Sequence, residues 1–212
     1  MHLFDLYSER YDSWYDLPFG SSVFSLEVEC LKKLFLSDGP SLEVGVGSGR
    51  FAQALGVQYG VDTSLNLLKK AKERGVRVVR AGAEKLPFRD RTFHAVLIVV
   101  SLCFFEKPLE ALLEARRVLK DSGILLLGLV LSESPWADFY RQKAEQGHPL
   151  YSVARFYSFE EIRNMLSRSG FKISGVLTTL FEEPQDTKPV RSREIRNGLY
   201  EKGGFFCISA TP

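Results

Sequence analysis

The stretch Leu42-Glu43-Val44-Gly45-Val46-Gly47-Ser48-Gly49-Arg50-Phe51-Ala52 decides how the rest of this chain is read. Ser41 to Val46 has the character of a short buried strand, and glycines alternate from Gly45 to Gly49 before a helix begins. Glycine suits such a turn because it reaches positive φ and leaves no Cβ between the backbone and a ligand. A strand running through glycines into a helix N-terminus offers free N–H groups to an anionic or polar ligand. A plain tight strand-to-helix turn would use the same residues, so the rest of the chain must arbitrate. The spacing narrows the choice: G-x-G-x-G is one residue shorter than the dinucleotide fingerprint G-x-G-x-x-G.

Composition sets the frame. At 212 residues the chain is expected to form one domain. Its apolar fraction of 45% and charged fraction of 25% are those of an ordinary globular protein. A net charge of +2 supplies no strong field for nucleic acid or anionic membranes. Cys30, Cys103 and Cys207 sit in apolar contexts without a C-x-x-C pair, which argues against a zinc site or a disulfide framework and fits a reducing cytoplasm. The opening Met-His-Leu-Phe-Asp lacks the basic and apolar regions of a signal peptide. The longest apolar run, Ala95 to Val100, is too short to span a bilayer. A cytoplasmic, metal-free monomer or homodimer is expected.

Outward from the glycine stretch, strands and helices alternate. Upstream, Val23, Leu26, Cys30, Leu31 and Leu34 recur at helical spacing and predict a helix over Val23–Leu36, ended by Asp38-Gly39-Pro40. Downstream come a helix over Arg50–Leu55, a strand ending at Gly60-Val61-Asp62, and a helix. That helix has Thr63 or Ser64 as cap, Leu65, Leu68 and Ala71 on one face, and Gly75 just past its end. Val76–Arg80 reads as a strand, and Phe93–Val100 as a central parallel strand covered on both faces. Pro108 opens a helix with Leu109, Leu112, Leu113 and Leu119 inward, and Asp121-Ser122-Gly123 turns it into the strand Ile124–Leu131. Ser134–Phe156 is irregular and rich in aromatic and charged residues, a candidate lid. Ser158-Phe159-Glu160-Glu161 is a capping box for a helix stopping at Gly170. Lys172–Phe181 and Gly204–Ala210 read as strands, with a short helix near Arg193–Tyr200 between them. The expectation is an α/β fold: a doubly wound, mostly parallel, seven-stranded sheet with helices on both faces and one antiparallel strand near the C-terminus. Residues 1–40 would form a helical cap and residues 132–157 the lid.

In such a sheet the ligand lies beyond the carboxyl ends of the strands, at the point where strand order reverses. Asp62 ends the second strand, thirteen residues after Gly49, where a carboxylate can accept hydrogen bonds from two ribose hydroxyls. It would equally serve as a helix cap or dipole partner. After the third strand comes Ala81-Gly82-Ala83-Glu84-Lys85-Leu86-Pro87-Phe88-Arg89-Asp90-Arg91-Thr92-Phe93.

The glycine spacing, led by Glu43, resembles motif I of the class I S-adenosylmethionine (SAM) dependent methyltransferases. The loop around Leu86-Pro87-Phe88 resembles the adenine-side loop "DAE-x-LPF-x-D-x-(S/T)-F-D" of their ubiquinone/menaquinone-biosynthesis-like subgroup. Tyr11-Asp12-x-Trp14-Tyr15, Glu114-Ala115-Arg116-Arg117-Val118-Leu119-Lys120 and Ala154-Arg155-Phe156-Tyr157-Ser158 resemble further segments of that subgroup, so the likeness covers nearly the whole chain. The resemblance implies a Rossmann-like fold, SAM as cofactor with S-adenosylhomocysteine as product, and methyl transfer to a small-molecule acceptor. It assigns cofactor contacts to Glu43, Gly45, Gly47, Gly49, Asp62, Thr63, Gly82, Ala83, Glu84 and Val99. Tyr11 and Tyr15 join them from the segment that folds over the cofactor.

Departures from the pattern carry information. Gly82 stands where an acid often faces the adenine amino group, so backbone groups or Glu84 would serve instead. His94 replaces the usual Asp and is read as a structural residue opening a strand. Cys103-Phe104 replaces a His-His pair, which makes the acceptor pocket more apolar. No catalytic residue is assigned; the sulfonium is already activated, and positioning supplies much of the rate. Aromatic faces of Tyr11, Trp14 or Tyr15 are candidate neighbours of the sulfonium. His148, Tyr140 or Glu133 are candidate bases for an amine acceptor, with His148 more readily an exposed loop residue. The basic cluster Lys188–Arg196 reads as a solvated face rather than an RNA-binding surface. A non-catalytic SAM-binding protein, an RNA methyltransferase and a nicotinamide oxidoreductase stand as alternatives.

Overall fold

The computed structural model describes residues 3–35 and 38–212, so the expected helix end at Leu36 lies outside the described residues. The strands are β1 (Ser41–Val44), β2 (Tyr59–Asp62), β3 (Arg77–Arg80), β4 (Phe93–Val99), β5 (Leu119–Leu129), β6 (Lys172–Thr179), β7 (Ile195–Asn197) and β8 (Phe205–Thr211). They form one sheet in the order β3-β2-β1-β4-β5-β8-β6-β7. The first five run parallel. β8 inserts between β5 and β6 antiparallel to both, and β7 is antiparallel to β6. The chain runs outward from β1 to β3 and returns to β4 on the other side of β1. Strand order therefore reverses between β1 and β4, which opens a crevice beyond their carboxyl ends.

β4 shows why its sequence is an unbroken apolar run. Ala95, Leu97 and Val99 face one core, with Val23, Leu26 and Leu31 of helix α3 (Pro18–Leu34) and Phe51 and Ala52 of α4 (Arg50–Leu55). Val96 and Ile98 face the other core, with Ala111, Leu112 and Ala115 of α6 (Pro108–Val118) and Ile162 and Leu166 of α8 (Phe159–Arg168). A strand covered on both faces has no polar side to display. Two short helices, α1 (Leu3–Leu6) and α2 (Ser8–Trp14), precede α3; α5 (Leu65–Glu73) follows β2, and α7 (Pro135–Glu145) follows β5.

Local chemistry sets the helix starts. Pro18 occupies the first turn of α3, where its missing N–H costs nothing. α4 is bounded by Gly49 and Gly56, both left-handed, at φ +81° and +73°. Ser64 caps α5 by accepting from Leu67 N, and Ser134 caps α7 by accepting from Ala137 N. At α8 Ser158 and Glu161 form the reciprocal capping box.

Several sequence expectations are corrected. The segment near Arg193–Tyr200 is the edge strand β7 rather than a short helix, so the sheet has eight strands instead of seven. The free edge of β6 needs hydrogen-bond partners, and Thr178 and Thr179 hold β7 there through bonds to the Gly198 and Glu194 carbonyls. α3 begins at Pro18 instead of Val23. β5 starts at Leu119, so Asp121-Ser122-Gly123 lies inside the strand instead of forming a turn; Leu119 pairs with Phe93. Leu113 of α6 and Leu65 of α5 are exposed, and Ala111, Ala115, Leu67 and Leu68 take the inward positions. Ser134–Phe156 is more regular than expected: α7 and a 3₁₀ turn at Tyr151–Val153. Trp136 of α7 is fully buried and stacks on Phe19 of α3 at 5.8 Å. Among the described residues no helix is long and apolar enough to cross a membrane.

Replacing Ser158 with alanine removes one half of the capping box. The expected outcome is a loss of about 1 kcal/mol and a melting temperature lower by about 2–4 °C for a chain of this size, read by thermal unfolding.

Candidate active site

The glycine turn builds one wall of the crevice. Gly45, Gly47 and Gly49 have φ of +75°, +52° and +81°, which side-chain-bearing residues rarely adopt. A Cβ on Gly45 would lie 2.5 Å from Ser101 Cβ, and one on Gly49 would lie 2.8 Å from Ala71 Cα. A Cβ on Gly47 would meet Tyr11 at 3.5 Å, inside the crevice. Val61 O accepts from both Gly45 N and Val46 N, which ties the turn to β2. Asp62 adds a second tie: Oδ2 accepts from Gly47 N and Oδ1 from Ser64 N, each at 2.9 Å.

Beyond this turn lies a cavity of about 380 Å³. Gly45, Gly47, Asp62 and Thr63 line it from the ends of β1 and β2, and Gly82, Ala83 and Glu84 from the loop after β3. Val99 closes it at β4, and Tyr11 covers it from α2. Ser101 and the strained Val100, a β-branched residue at φ +43°, also line it. The structure places Glu43, Gly49 and Tyr15 elsewhere. Gly49 packs on α5. Glu43 is buried in β1, hydrogen-bonded to the Ala52 backbone at the start of α4, with Oε2 unpartnered; burial pushes its carboxyl well above the usual range. That is the position of a group closing a helix start.

Arg117 of α6 fastens the loop holding Leu86-Pro87-Phe88. Its guanidinium donates to both oxygens of Glu114, to the Leu86 and Phe88 carbonyls and to Asp90, at 2.6–2.9 Å. These five bonds match the five donors of the group. Glu114 in turn accepts from Leu86 N at 2.7 Å. The loop after β3 is thus held by a pair on α6, fifteen and eighteen residues beyond the end of β4.

The roof is held by charge. Asp12 of α2, only 7% exposed, accepts from Arg50 of α4 at 2.8 Å and from Arg74 at 2.9 Å. Arg50 also reaches Asp16, and Arg74 donates to the Ser48 carbonyl within the glycine turn. Asp5 of α1 accepts from Ser64 Oγ and Asn66 N at the start of α5. Burial disfavours the charged form of Asp12, but hydrogen bonds with Arg50, Arg74 and Ser48 outweigh it and hold its carboxyl down to about 2.

A second cavity of about 390 Å³ adjoins the first, and Tyr11, Val100, Ser101 and Phe104 line both. Its walls are largely aromatic, including Trp14, Tyr15, Tyr140, Tyr151 and Phe156. The Tyr11 and Tyr15 hydroxyls share a hydrogen bond of 3.2 Å, and burial pushes both well up, so both are neutral. His148 is a half-buried wall residue, its ring stacked on Tyr151 at 4.3 Å, instead of an exposed loop residue. Burial lowers its pKa. Tyr140 lines the cavity, while Glu133 does not and accepts instead from Phe159 N. The Cys103 thiol also lines it, pushed up to about 12 by burial. Glu27 of α3 reaches this wall too, and sequence reasoning missed it. The signal was present as an acid within the apolar stripe Val23, Leu26, Cys30, Leu31.

His94 lies at the far, amino end of β4, with Nε2 3.1 Å from Lys120 Nζ, consistent with a structural residue. In the basic cluster, Arg193 pairs with Glu29, and Arg196 pairs with Glu194 and covers the Phe181 ring at 4.4 Å.

Comparison with known proteins gives this site its class. A family model described as a methyltransferase domain matches residues 42–127. A solved structure from Thermotoga maritima, a SAM-dependent methyltransferase and possible histamine N-methyltransferase, aligns with a TM-score of 0.89 and 34% identity. The match covers 99% of this chain and 98% of that one. An uncharacterized protein of Methanocaldococcus jannaschii is 38% identical over 99% of this chain and 98% of its own length. One from Mycobacterium tuberculosis is 40% identical over 94% of this chain and 70% of its own. The fold and site define a Rossmann-like cofactor-binding enzyme. The chain belongs to the SAM-dependent methyltransferases, and SAM is its cofactor.

Two outcomes test the site's supports. Asp12 has a folded-state pKa below its ordinary value, so the stability it adds is complete above about pH 4 and is lost as pH falls towards about 2. Asp12→Asn should cost about 1–3 kcal/mol at neutral pH and only a small fraction of that at pH 2, read by denaturant unfolding at both. Arg117→Ala should loosen the Leu86–Asp90 loop, seen as faster amide exchange there than in β4.

Proposed function

We propose that this enzyme transfers a methyl group from SAM, bound in the glycine-lined cavity, to a small-molecule acceptor held in the adjoining aromatic cavity. The observation that carries the reading is the pair of cavities meeting at Tyr11, Val100, Ser101 and Phe104. One has the glycine turn and an acidic strand end, as a nucleoside ligand needs; the other is concave, apolar and small. Asp62 would accept from the ribose hydroxyls. Gly82, Ala83 and Glu84 would face the adenine, with backbone groups replacing the missing acid at Gly82. Gly45 and Gly47 would let the amino-acid tail approach the backbone, and Thr63 and Val99 would complete the wall. Glu43, Gly49 and Tyr15 would act one step removed, by shaping the turn and the roof.

The loop Ala83–Phe93 supports a place in the ubiquinone/menaquinone-biosynthesis-like subgroup. Cys103-Phe104 separates its acceptor chemistry from members with two histidines there. The Thermotoga relative, a possible histamine N-methyltransferase by its own description, likewise points to a small acceptor. Residues 3–35 and α7 with its 3₁₀ turn would cover the two cavities and exclude water from an in-line displacement. SAM would supply an activated methyl carbon for that step: the acceptor lone pair would bond to it as the C–S bond broke, leaving the electron pair on the sulfur of S-adenosylhomocysteine. The proton displaced from the acceptor leaves to solvent or a wall group.

Calorimetric titration with SAM, S-adenosylhomocysteine and NADH tests the cofactor cavity. Micromolar binding of the first two and none of the third is expected; binding of NADH alone would sink the reading. Asp62→Ala should weaken SAM at least tenfold and leave a folded protein destabilised by about 1–3 kcal/mol, since Gly47 N and Ser64 N lose their acceptor. Gly47→Val should abolish binding by filling the crevice beside Tyr11; normal affinity in that variant would remove the glycine turn from the site.

A further inference from the structure

Glu27 is a group of the aromatic cavity whose chemistry the transfer step does not explain. It sits in α3, 5% exposed, on the cavity wall. No hydrogen bond or ion pair from the described residues reaches its carboxylate. Burial alone acts on it and pushes it up to about 8. It shares that wall with Tyr11, Tyr15, Tyr140 and Tyr151, and its charge is felt by all four hydroxyls. The cations of the same cavity are engaged elsewhere or exposed: Lys143 pairs with Asp186, Arg155 with Glu161, and Arg10 is exposed.

A buried carboxylate without a partner is costly, and a fold retains one when something outside the chain completes it. Aromatic faces around a carboxylate make the arrangement that receives an organic cation: the rings attract it and the carboxylate neutralises it. Tyr140 and Tyr151 lie 4.6 Å apart between centroids, and Trp14 and Tyr15 5.0 Å, so the rings form a packed enclosure.

We infer that the aromatic cavity binds an acceptor carrying a protonated amine, with Glu27 as its counter-ion and Tyr15, Tyr140, Tyr151 and Trp14 as the enclosing faces. The inference rests on the acceptor reading of that cavity, and it makes Glu27 a specificity-determining residue without a part in the bond-making step. A purely structural Glu27 would be a neutral acid indifferent to the ligand's charge.

The test titrates protein loaded with S-adenosylhomocysteine with propylamine, cyclohexylamine and 2-phenylethylamine, each beside its alcohol (1-propanol, cyclohexanol, 2-phenylethanol). At least one amine should bind and its alcohol bind ten or more times more weakly. Glu27→Gln, nearly the same shape, should weaken the amine tenfold or more while leaving S-adenosylhomocysteine affinity and melting temperature near wild type. Glu27→Asp should recover part of the amine affinity, which separates charge from packing. Equal binding of amine and alcohol, no binding of any amine, or full amine affinity in Glu27→Gln would overturn the inference while the cofactor reading stood. If S-adenosylhomocysteine itself failed to bind, the cofactor reading would fall. The same amines titrated into unloaded protein would then decide Glu27 alone.

Discussion

The site depends on a single carboxylate held between two backbone N–H groups. Asp62 joins the glycine turn after β1 to the start of α5 after β2 through Gly47 N and Ser64 N. Three consecutive alternate glycines at positive φ would otherwise be among the most mobile backbone in the protein, since glycine loses more conformational freedom on ordering than any other residue. The carboxylate offsets that cost with charge-assisted bonds. It does so at the strand end where the sheet reverses direction, so the element that stabilises the turn also faces the crevice. The helix-partner role of Asp62 is thus met by backbone bonds to Gly47 and Ser64, and the same residue lines the crevice.

The remaining supports share this logic of holding irregular backbone from a regular element. Arg117 sits on α6 and reaches into the loop after β3; Arg50 and Arg74 flank α4 and α5 and reach up to Asp12. Each guanidinium bridges two segments far apart in sequence, and each is rigid enough to define distance as well as charge. The result is a crevice whose floor is strand, whose walls are loops fixed by arginine, and whose roof is short helices too small to persist alone. α1 has four residues and α2 seven, well below the length at which isolated helices form in water, so tertiary bonds hold them.

Much of the fold was legible in the sequence because local and global preferences agree there. The unbroken run of β4, the capping box at Ser158 and the alternating glycines are signals for which one structure is much cheaper than its rivals. Reading failed where the deciding partner is distant. β7 forms because the edge of β6 needs covering, a demand that no residue in Ile195–Asn197 announces. Leu113 and Leu65 carry apolar side chains at helical spacing yet face solvent, since helix phase is set by the cap and the sheet rather than by every leucine. Most residues expected around the cofactor line one cavity, while Glu43 and Gly49 lie outside its lining and Tyr15 lines the other. Motif spacing locates the neighbourhood of a ligand, but not which members of the motif face it. Arg117 carries no local signal in the sequence that its five bonds, three to the Leu86–Asp90 loop and two to Glu114, would form.

Glu27 shows how a local conflict becomes informative. On α3 the positions Val23, Leu26, Cys30 and Leu31 are buried, and an acid among them contradicts the pattern that folds the helix. Such conflicts persist where function repays them. The carboxylate has the alternatives of neutralising itself by taking a proton or finding a cation, and among the described residues no cation pairs with it. Hydrophobic packing of α3 requires that position to be inside, since Leu26 and Leu31 on either side are nearly inaccessible. The helix cannot turn Glu27 to water without exposing them. The acid is thus trapped facing the aromatic cavity, and whatever enters that cavity must contend with it. A neutral or anionic acceptor would find an enclosure with one unwelcome group; a cationic one would find it complete.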